Sequence, residues 1–294
     1  MKRKKTVMEL IPYSVINLDK PRGITSRQVV TEIKKFFGLK RCGHTGTLDT
    51  NVTGLLIVAL EDATKVMPVL MGLGKEYEGI IYLHKDVDEK KLGEVISENF
   101  VGTITQIPPV KSRVARIRRK RIVYSFDILE KKDKNVRFRT KVQAGTYIRK
   151  LCSDIGEKLD VGAHMKELRR IKVGHFSLKD SHSLDEVKKV SEEFKQGNDK
   201  ALKKILIPIE KAIPHVKKIY VKESSLKSIF NGAPIRKSDT VKIQGGIETK
   251  EIVGIFSLKD QLIALGIAKT NSKNMKRSRG TIVRIDRIIH KFKL

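Results

Sequence analysis

The run TGLLIVAL, residues 53–60, is the most restrictive stretch of this chain: its last six residues are all aliphatic and none of the eight is charged. A strand so continuously apolar has no face to show to water, so it reads as a buried strand that other elements must cover. Helical spacing lies just upstream. Thr25 and Ser26 offer N-cap hydroxyls, Val29, Val30, Ile33, Phe36 and Phe37 recur at helical intervals, and Gly38 supplies a stop. KEYEGIIYL (75–83) reads as another strand, and RIVYSFDILE and NVRFRTKV, flanking the polar KKDKN, as a β-hairpin. GTYIRKLCSDIGEKL (145–159) predicts a helix with Ile148, Leu151, Cys152, Ile155 and Leu159 on one face, followed by a strand over KELRRIKVGHFSL. Ser183 and Glu186 make a capping box for a helix reaching Ile205. IPIEKAIP then carries two prolines, where a boundary belongs, and from about Lys217 short apolar segments alternate with the turn signals NGAPI, KSD, QGG, TNSKN and SRG. That pattern is a small β-rich module.

GHTGTLDTNVTG (43–54) connects the first helix to the buried strand and places one carboxylate, Asp49, among glycines and small hydroxyls. Glycines there permit positive φ or close approach of another chain, and the threonines fix turns by local hydrogen bonds. Taken alone, Asp49 is a turn residue. The charge of the chain widens the question: 62 Lys+Arg face 33 Asp+Glu, a formal net charge of +29, with dense runs at KRKK (2–5) and at RVARIRRKR (113–121). A polyanion, and nucleic acid in particular, is the natural partner. No apolar run approaches the ~18 residues of a membrane span, and the lysine-rich start lacks the apolar stretch of a signal peptide. An intracellular protein is expected. Cys42 and Cys152 form no disulfide framework and have no zinc spacing, and Cys42 reads as structural rather than as a catalytic thiol. Phosphate-binding, dinucleotide and nucleophile-elbow patterns are absent from the sequence, so chemistry must come from side chains alone.

INLDKPRGITS, GHTGTLDTNVTGLLIVAL, GKEYEG, AGTYIRKLCSDIG and GAHMKELRRIKVG, in this order and at these intervals over residues 10–180, resemble the TruB family of RNA pseudouridine synthases. PPVKSRVARIRRKR (108–121), NGAPI and GIFSLKDQLIALGIAKT further resemble its dyskerin type, the archaeal and eukaryotic catalytic subunit of H/ACA ribonucleoproteins. The resemblance implies an α+β fold. A mixed, mostly antiparallel sheet with flanking helices would carry the active-site cleft over residues 1–212. A small β-barrel-like PUA domain over 213–294 would dock near the N-terminal segment. It implies isomerisation of uridine to pseudouridine without metal or organic cofactor, on guide-directed ribosomal RNA together with small H/ACA proteins, or on the T-loop uridine of tRNA. The PUA module would hold the end of a guide RNA or tRNA. The compartment would be the cytoplasm of an archaeon, or the nucleolus of a eukaryote.

Carried over motif by motif, the resemblance makes Asp49 of GTLD the catalytic aspartate and Arg149 of GTYIR the cation that keeps it ionised and aims it. Tyr77 of KEYEG would stack on the flipped target base. His44 would meet the extruded RNA, and Lys20 of LDKP and Leu168 of KELRR would support the pocket. The basic stretch, with Arg113, Arg116, Arg118, Arg119, Lys120 and Arg121, would contact RNA backbone. The chain departs from the dyskerin type at Thr50 and Asn51, where a proline and a lysine are usual, and at Thr45, where serine is more common. Without the proline the loop is expected to be looser. Two other classes remain at this point: a non-catalytic RNA-binding or ribosome-assembly factor, and a base hydrolase, which would need a second carboxylate that the motif loops do not offer.

Overall fold

The computed structural model describes residues 6–109 and 115–290. Its larger sheet has ten strands: β1 (Ser14–Lys20), β2 (Cys42–His44), β3 (Thr53–Leu60), β4 (Lys75–Leu83), β5 (Gly102–Gln106), β6 (Arg119–Lys132), β7 (Asn135–Val142), β8 (Ala163–Val173), β9 (Phe176–Ser177) and β10 (Ile207–Pro208). They run in the order β10-β1-β3-β8-β4-β7-β6-β5, with β2 beside β3 and β9 beside β8. The β3/β8 pair is parallel, over just Thr53↔Arg169 and Gly54↔Arg170, and its neighbours are antiparallel. The sheet is therefore mixed and mostly antiparallel, with a short seam near its middle.

The apolar run owes its composition to burial on both sides. Leu55, Ile57 and Ala59 pack in a cluster with Val15, Val66 and Leu70, while Leu56, Val58 and Leu60 pack in another with Val29 and Ile33 of the helix Ser26–Phe36. That helix starts in a capping box: Thr25 Oγ1 accepts from Gln28 N at 3.1 Å, and Thr25 N donates to Gln28 Oε1 at 2.9 Å. Over the other half of the sheet, Ile148, Leu151, Cys152 and Ile155 of the helix Ile148–Lys158 and Leu92 and Ile96 of the helix Glu89–Phe100 cover Tyr77, Ile81, Val136 and Phe138.

Three local readings are corrected. The strand over KELRRIKVGHFSL breaks at Gly174 (φ +55°) and turns back, so that β9 pairs antiparallel with β8. The helix from Ser183 to Ile205 is two helices, Leu184–Lys195 and Lys200–Ile205, interrupted where Gly197 takes φ +93°. Both pack into one cluster through Val187, Leu202 and Ile205, which is why the apolar pattern runs through the break. The connection that carries Asp49 also contains β2, paired with β3.

The second sheet comprises β11 (Lys218–Val221), β12 (Ile235–Arg236), β13 (Thr240–Ile243), β14 (Ile252–Phe256), β15 (Leu262–Ala268) and β16 (Thr281–Ile288) in the order β12-β16-β15-β14-β11-β13. Register shifts interrupt four of its ladders, and such irregularities curve a sheet toward closure. Ile219, Val253, Ile255, Ile263 and Val283 fill its interior. The module is not detached. Phe256, Leu262, Leu265 and Ile289 belong to the same buried cluster as Val15, Leu55 and Ile57 of the larger sheet. Tyr13 of the N-terminal segment lies with its ring 3.9 Å from that of His290. Among the described residues no helix is long and apolar enough to cross a membrane, and both cysteines are free.

Candidate active site

The loop from Thr45 to Val52 is fixed mainly through its backbone. At its start Gly46 takes φ +117°, and Arg170 Nη2 donates to its carbonyl at 3.1 Å. Ser26 Oγ accepts from Leu48 N at 2.9 Å and donates to Leu48 O at 3.1 Å, tying the loop to the first turn of the helix Ser26–Phe36. Val52 N donates to Asp49 O at 3.0 Å, closing a turn around the carboxylate. Lys20 is fully buried, and its Nζ donates to Pro21 O at 2.8 Å, Ile24 O at 2.7 Å and Thr50 O at 3.2 Å. Gly23 N also donates to Thr50 O, at 3.0 Å. Thr50 stands where proline is usual, and these two tethers restrain its carbonyl by means that a fixed φ would not supply.

Asp49 projects from this frame and meets Arg149, one hundred residues away, with Arg149 Nη2 2.5 Å from Asp49 Oδ2. Both side chains are more than half exposed. An exposed pair contributes roughly 0.2–1 kcal/mol to stability, so what it supplies is aim. A second cation is near: burial lowers the Lys20 pKa, and the Asp49 charge opposes that shift. Arg149 lies in the first turn of its helix, after a loop anchored by Gln106, whose Oε1 accepts from Tyr147 N at 3.0 Å and whose Nε2 donates to Tyr147 O at 3.1 Å. The other carboxylate on the loop's supports, Asp19, pairs with Arg169 at 2.6 Å.

Tyr77 in β4 is 8% exposed and sits in one cluster with Leu48 and Val52, which bracket Asp49, and with Leu168 of β8. The sequence-predicted Asp49, Arg149, Tyr77, Lys20 and Leu168 thus converge on the loop. His44 ends β2 at the loop's entrance, half-buried, with no hydrogen-bond partner for Nδ1 among the described residues. Burial, and secondarily Arg170, push its pKa below the ordinary histidine value, so it is neutral at neutral pH. Of the basic stretch, Arg113 lies outside the described residues, as does KRKK (2–5). Arg116 and Arg118 are exposed ahead of β6, and Arg119, Lys120 and Arg121 open β6, with Arg119 opposite Gln106. Arg121 lies against Gly145, in the loop that leads to Arg149. Cys42 is a structural thiol, its pKa raised by burial to about 12.

Sequence reasoning missed Arg169 and Arg170. Arg169 Nη1 donates to Thr53 Oγ1 at 3.2 Å, and Arg170 Nε donates to Leu55 O at 2.7 Å. A signal was present in KELRR: Arg170 shares the strand parity of the core residue Leu168, and a charge on the core side of a strand calls for partners. Lys75, two residues before Tyr77, is also buried, and its Nζ donates to Met71 O and Leu73 O, each at 2.7 Å. Burial, followed by Arg170, lowers its pKa from 10.5 to about 8. The unfolded chain therefore binds more protons between these values, so this penalty is full below about pH 8 and fades toward 10.5. Stability to urea should rise over that range in the parent and rise less in Lys75→Met, and equal slopes would refute the assignment.

A carboxylate steered by an arginine on a backbone-clamped loop, beside a curved β module in a chain of net charge +29, is an arrangement suited to side-chain chemistry on a polyanion. Among the described residues no group of three His, Cys, Asp or Glu comes together to hold a metal ion. Residues 34–148 match the TruB family pseudouridylate synthase N-terminal domain, 149–214 the tRNA pseudouridylate synthase B C-terminal domain, and 217–289 the PUA domain. A probable tRNA pseudouridine synthase B of Methanopyrus kandleri is 44% identical over 288 residues, covering 97% of this chain and 85% of that protein. Its counterpart in Nanoarchaeum equitans is 45% identical over 289 residues, covering 98% and 82%. The crystal structure of a Cbf5-Nop10-Gar1 complex superposes with a TM-score of 0.92 at 41% identity, over 98% of this chain and 88% of that one. An H/ACA ribonucleoprotein bound to a substrate RNA containing 2′-deoxyuridine gives 0.89 at 39%, over 98% and 88%. The chain belongs to the TruB family of pseudouridine synthases, which are isomerases, and carries a PUA domain.

Proposed function

We propose that this chain isomerises uridine to pseudouridine in RNA with Asp49 as its catalytic carboxylate, as the subunit of a guide-directed H/ACA particle, with the T-loop uridine of tRNA as a second substrate. The observation that carries the reading is the Asp49–Arg149 contact, made across one hundred residues yet open to an incoming nucleotide. In the reaction the bond from C1′ to N1 breaks, one from C1′ to C5 forms, the C5 hydrogen leaves as a proton and N1 gains one. Nothing is oxidised or reduced, so no cofactor is required. Arg149 aims the Asp49 carboxylate, which acts as nucleophile or base. Tyr77 backs the flipped base, neutral His44 meets the RNA as a hydrogen-bonding ring, and Lys20 and Leu168 hold the pocket's floor. Likeness at 39–41% identity to proteins solved with Nop10 and Gar1, or in an H/ACA ribonucleoprotein bound to a substrate RNA, supports the guided substrate, while the names of the archaeal relatives support tRNA. Residues 1–212 form the catalytic unit and 213–294 the RNA-holding one, in an archaeal cytoplasm.

The test is tritium release from RNA labelled at uridine C5, on a tRNA transcript and on a guide-paired RNA supplied with the small H/ACA proteins. Release identifies the isomerase, and the responding RNA identifies the target. No release from either would leave a non-catalytic RNA-binding protein. The basic stretch carries a separate expectation. Gln at Arg116, Arg118 and Lys120 should flatten the dependence of log affinity on log salt by ~0.7 for each single-strand phosphate no longer neutralised, about 2 in total. An unchanged slope in a salt titration would remove these residues from the interface.

A further inference from the structure

Arg170 is 1% exposed, and among the described residues no carboxylate pairs with it. Removing a cation from water without an anion is costly, and an apolar side chain of similar volume would ordinarily serve stability at least as well. What the guanidinium does is geometric. Its Nε donates to Leu55 O at 2.7 Å, just beyond the Asp49 loop, and its Nη2 donates to Gly46 O at 3.1 Å, at the loop's start. One rigid fork therefore spans both ends of the segment that carries the carboxylate. The approach of β8 is close as well: a Cβ on Gly54 would lie 2.3 Å from Arg170 O.

We propose that Arg170 is a positioning residue for the isomerisation, holding the two ends of the Asp49 loop at a fixed separation by its bridge from Leu55 O to Gly46 O. This rests on the assignment of Asp49 above. A lysine at this position keeps the charge but offers a point donor in place of a planar fork, so it cannot hold both carbonyls in the same geometry. A small misplacement of the reacting group is enough to cost on the order of a hundredfold in rate. The same charge also acts at a distance, since it helps to keep His44 neutral.

Arg170→Lys and Arg170→Met are compared with the parent in single-turnover tritium release at saturating RNA, with RNA affinity, folded fraction and the His44 ring titration by NMR measured alongside. The Lys variant should be folded and bind RNA as the parent does, yet react roughly 10- to 100-fold more slowly. The His44 titration should move upward in Arg170→Met and much less in Arg170→Lys. A Lys variant with the parent's rate per folded molecule would overturn the proposal and reduce Arg170 to scaffold. Should Met prevent folding, the Lys variant alone decides. The His44 titration needs no RNA. An inactive parent would therefore sink the reading of Asp49, whereas an unmoved histidine in a folded Met variant would sink the placement of the Arg170 charge.

Discussion

Asp49→Asn is expected to lower the single-turnover rate of pseudouridine formation by at least about 10⁴-fold while leaving RNA affinity and the melting temperature close to those of the parent. The rate effect follows from asking one group to act as nucleophile or base: removal of such a group from other enzymes costs ~10⁴ to 10⁶. The fold is spared because the loop is held through the backbone of Gly46, Leu48, Asp49 and Thr50, not through the Asp49 carboxylate. Asparagine keeps the shape and an acceptor oxygen for Arg149, but lacks the negative charge. Tritium release and filter binding on the same preparations check both halves. A variant that releases tritium at the parent's rate would show that another group does the chemistry.

Gly54→Val is expected to be the most destabilising single change in the larger sheet. Gly54 holds φ +102°, where a β-branched residue is strained. The added Cβ would also lie 2.3 Å from Arg170 O and 2.7 Å from Arg170 N, backbone atoms with nowhere to go. Strain of about 1–3 kcal/mol adds to the cost of prising β8 from β3, for a total of roughly 4 kcal/mol or more. Thermal melting should fall by on the order of 10 °C. Gly93, inside the helix Glu89–Phe100, is the contrast: a Cβ there meets nothing within 4 Å, and Gly93→Ala should stabilise by about 0.5–1 kcal/mol. A Gly54→Val protein that melts with the parent would show that the seam is not tight.

Parts of this architecture are legible in the sequence because one physical rule dominates locally. TGLLIVAL and KEYEGIIYL appear as strands with the bounds read from pattern, since burial on two faces or one leaves its own periodicity. The breaks at Gly174 and Gly197 are hidden, because the residues on either side of each share a core and keep the pattern intact. The Asp49–Arg149 pair could not come from spacing at all, since no local rule joins residues one hundred positions apart, and resemblance supplies it. Lys20 is named through the same resemblance, but its work on Thr50 O is visible only in three dimensions. Arg170 breaks the strand alternation in plain view, yet in the sequence it passes as part of a broadly basic surface.

The buried cluster that joins Phe256, Leu262 and Ile289 to Val15, Leu55 and Ile57 erases, energetically, the border that lies near residue 213 in the sequence. Leu55 lies three residues past the Asp49 loop, in β3, and lends its carbonyl to Arg170. A cavity made at Phe256 is therefore expected to loosen the same packed cluster that holds Leu55, although some two hundred residues of chain separate them. Exchanging the C-terminal module for another would therefore mean repacking the floor of the first sheet.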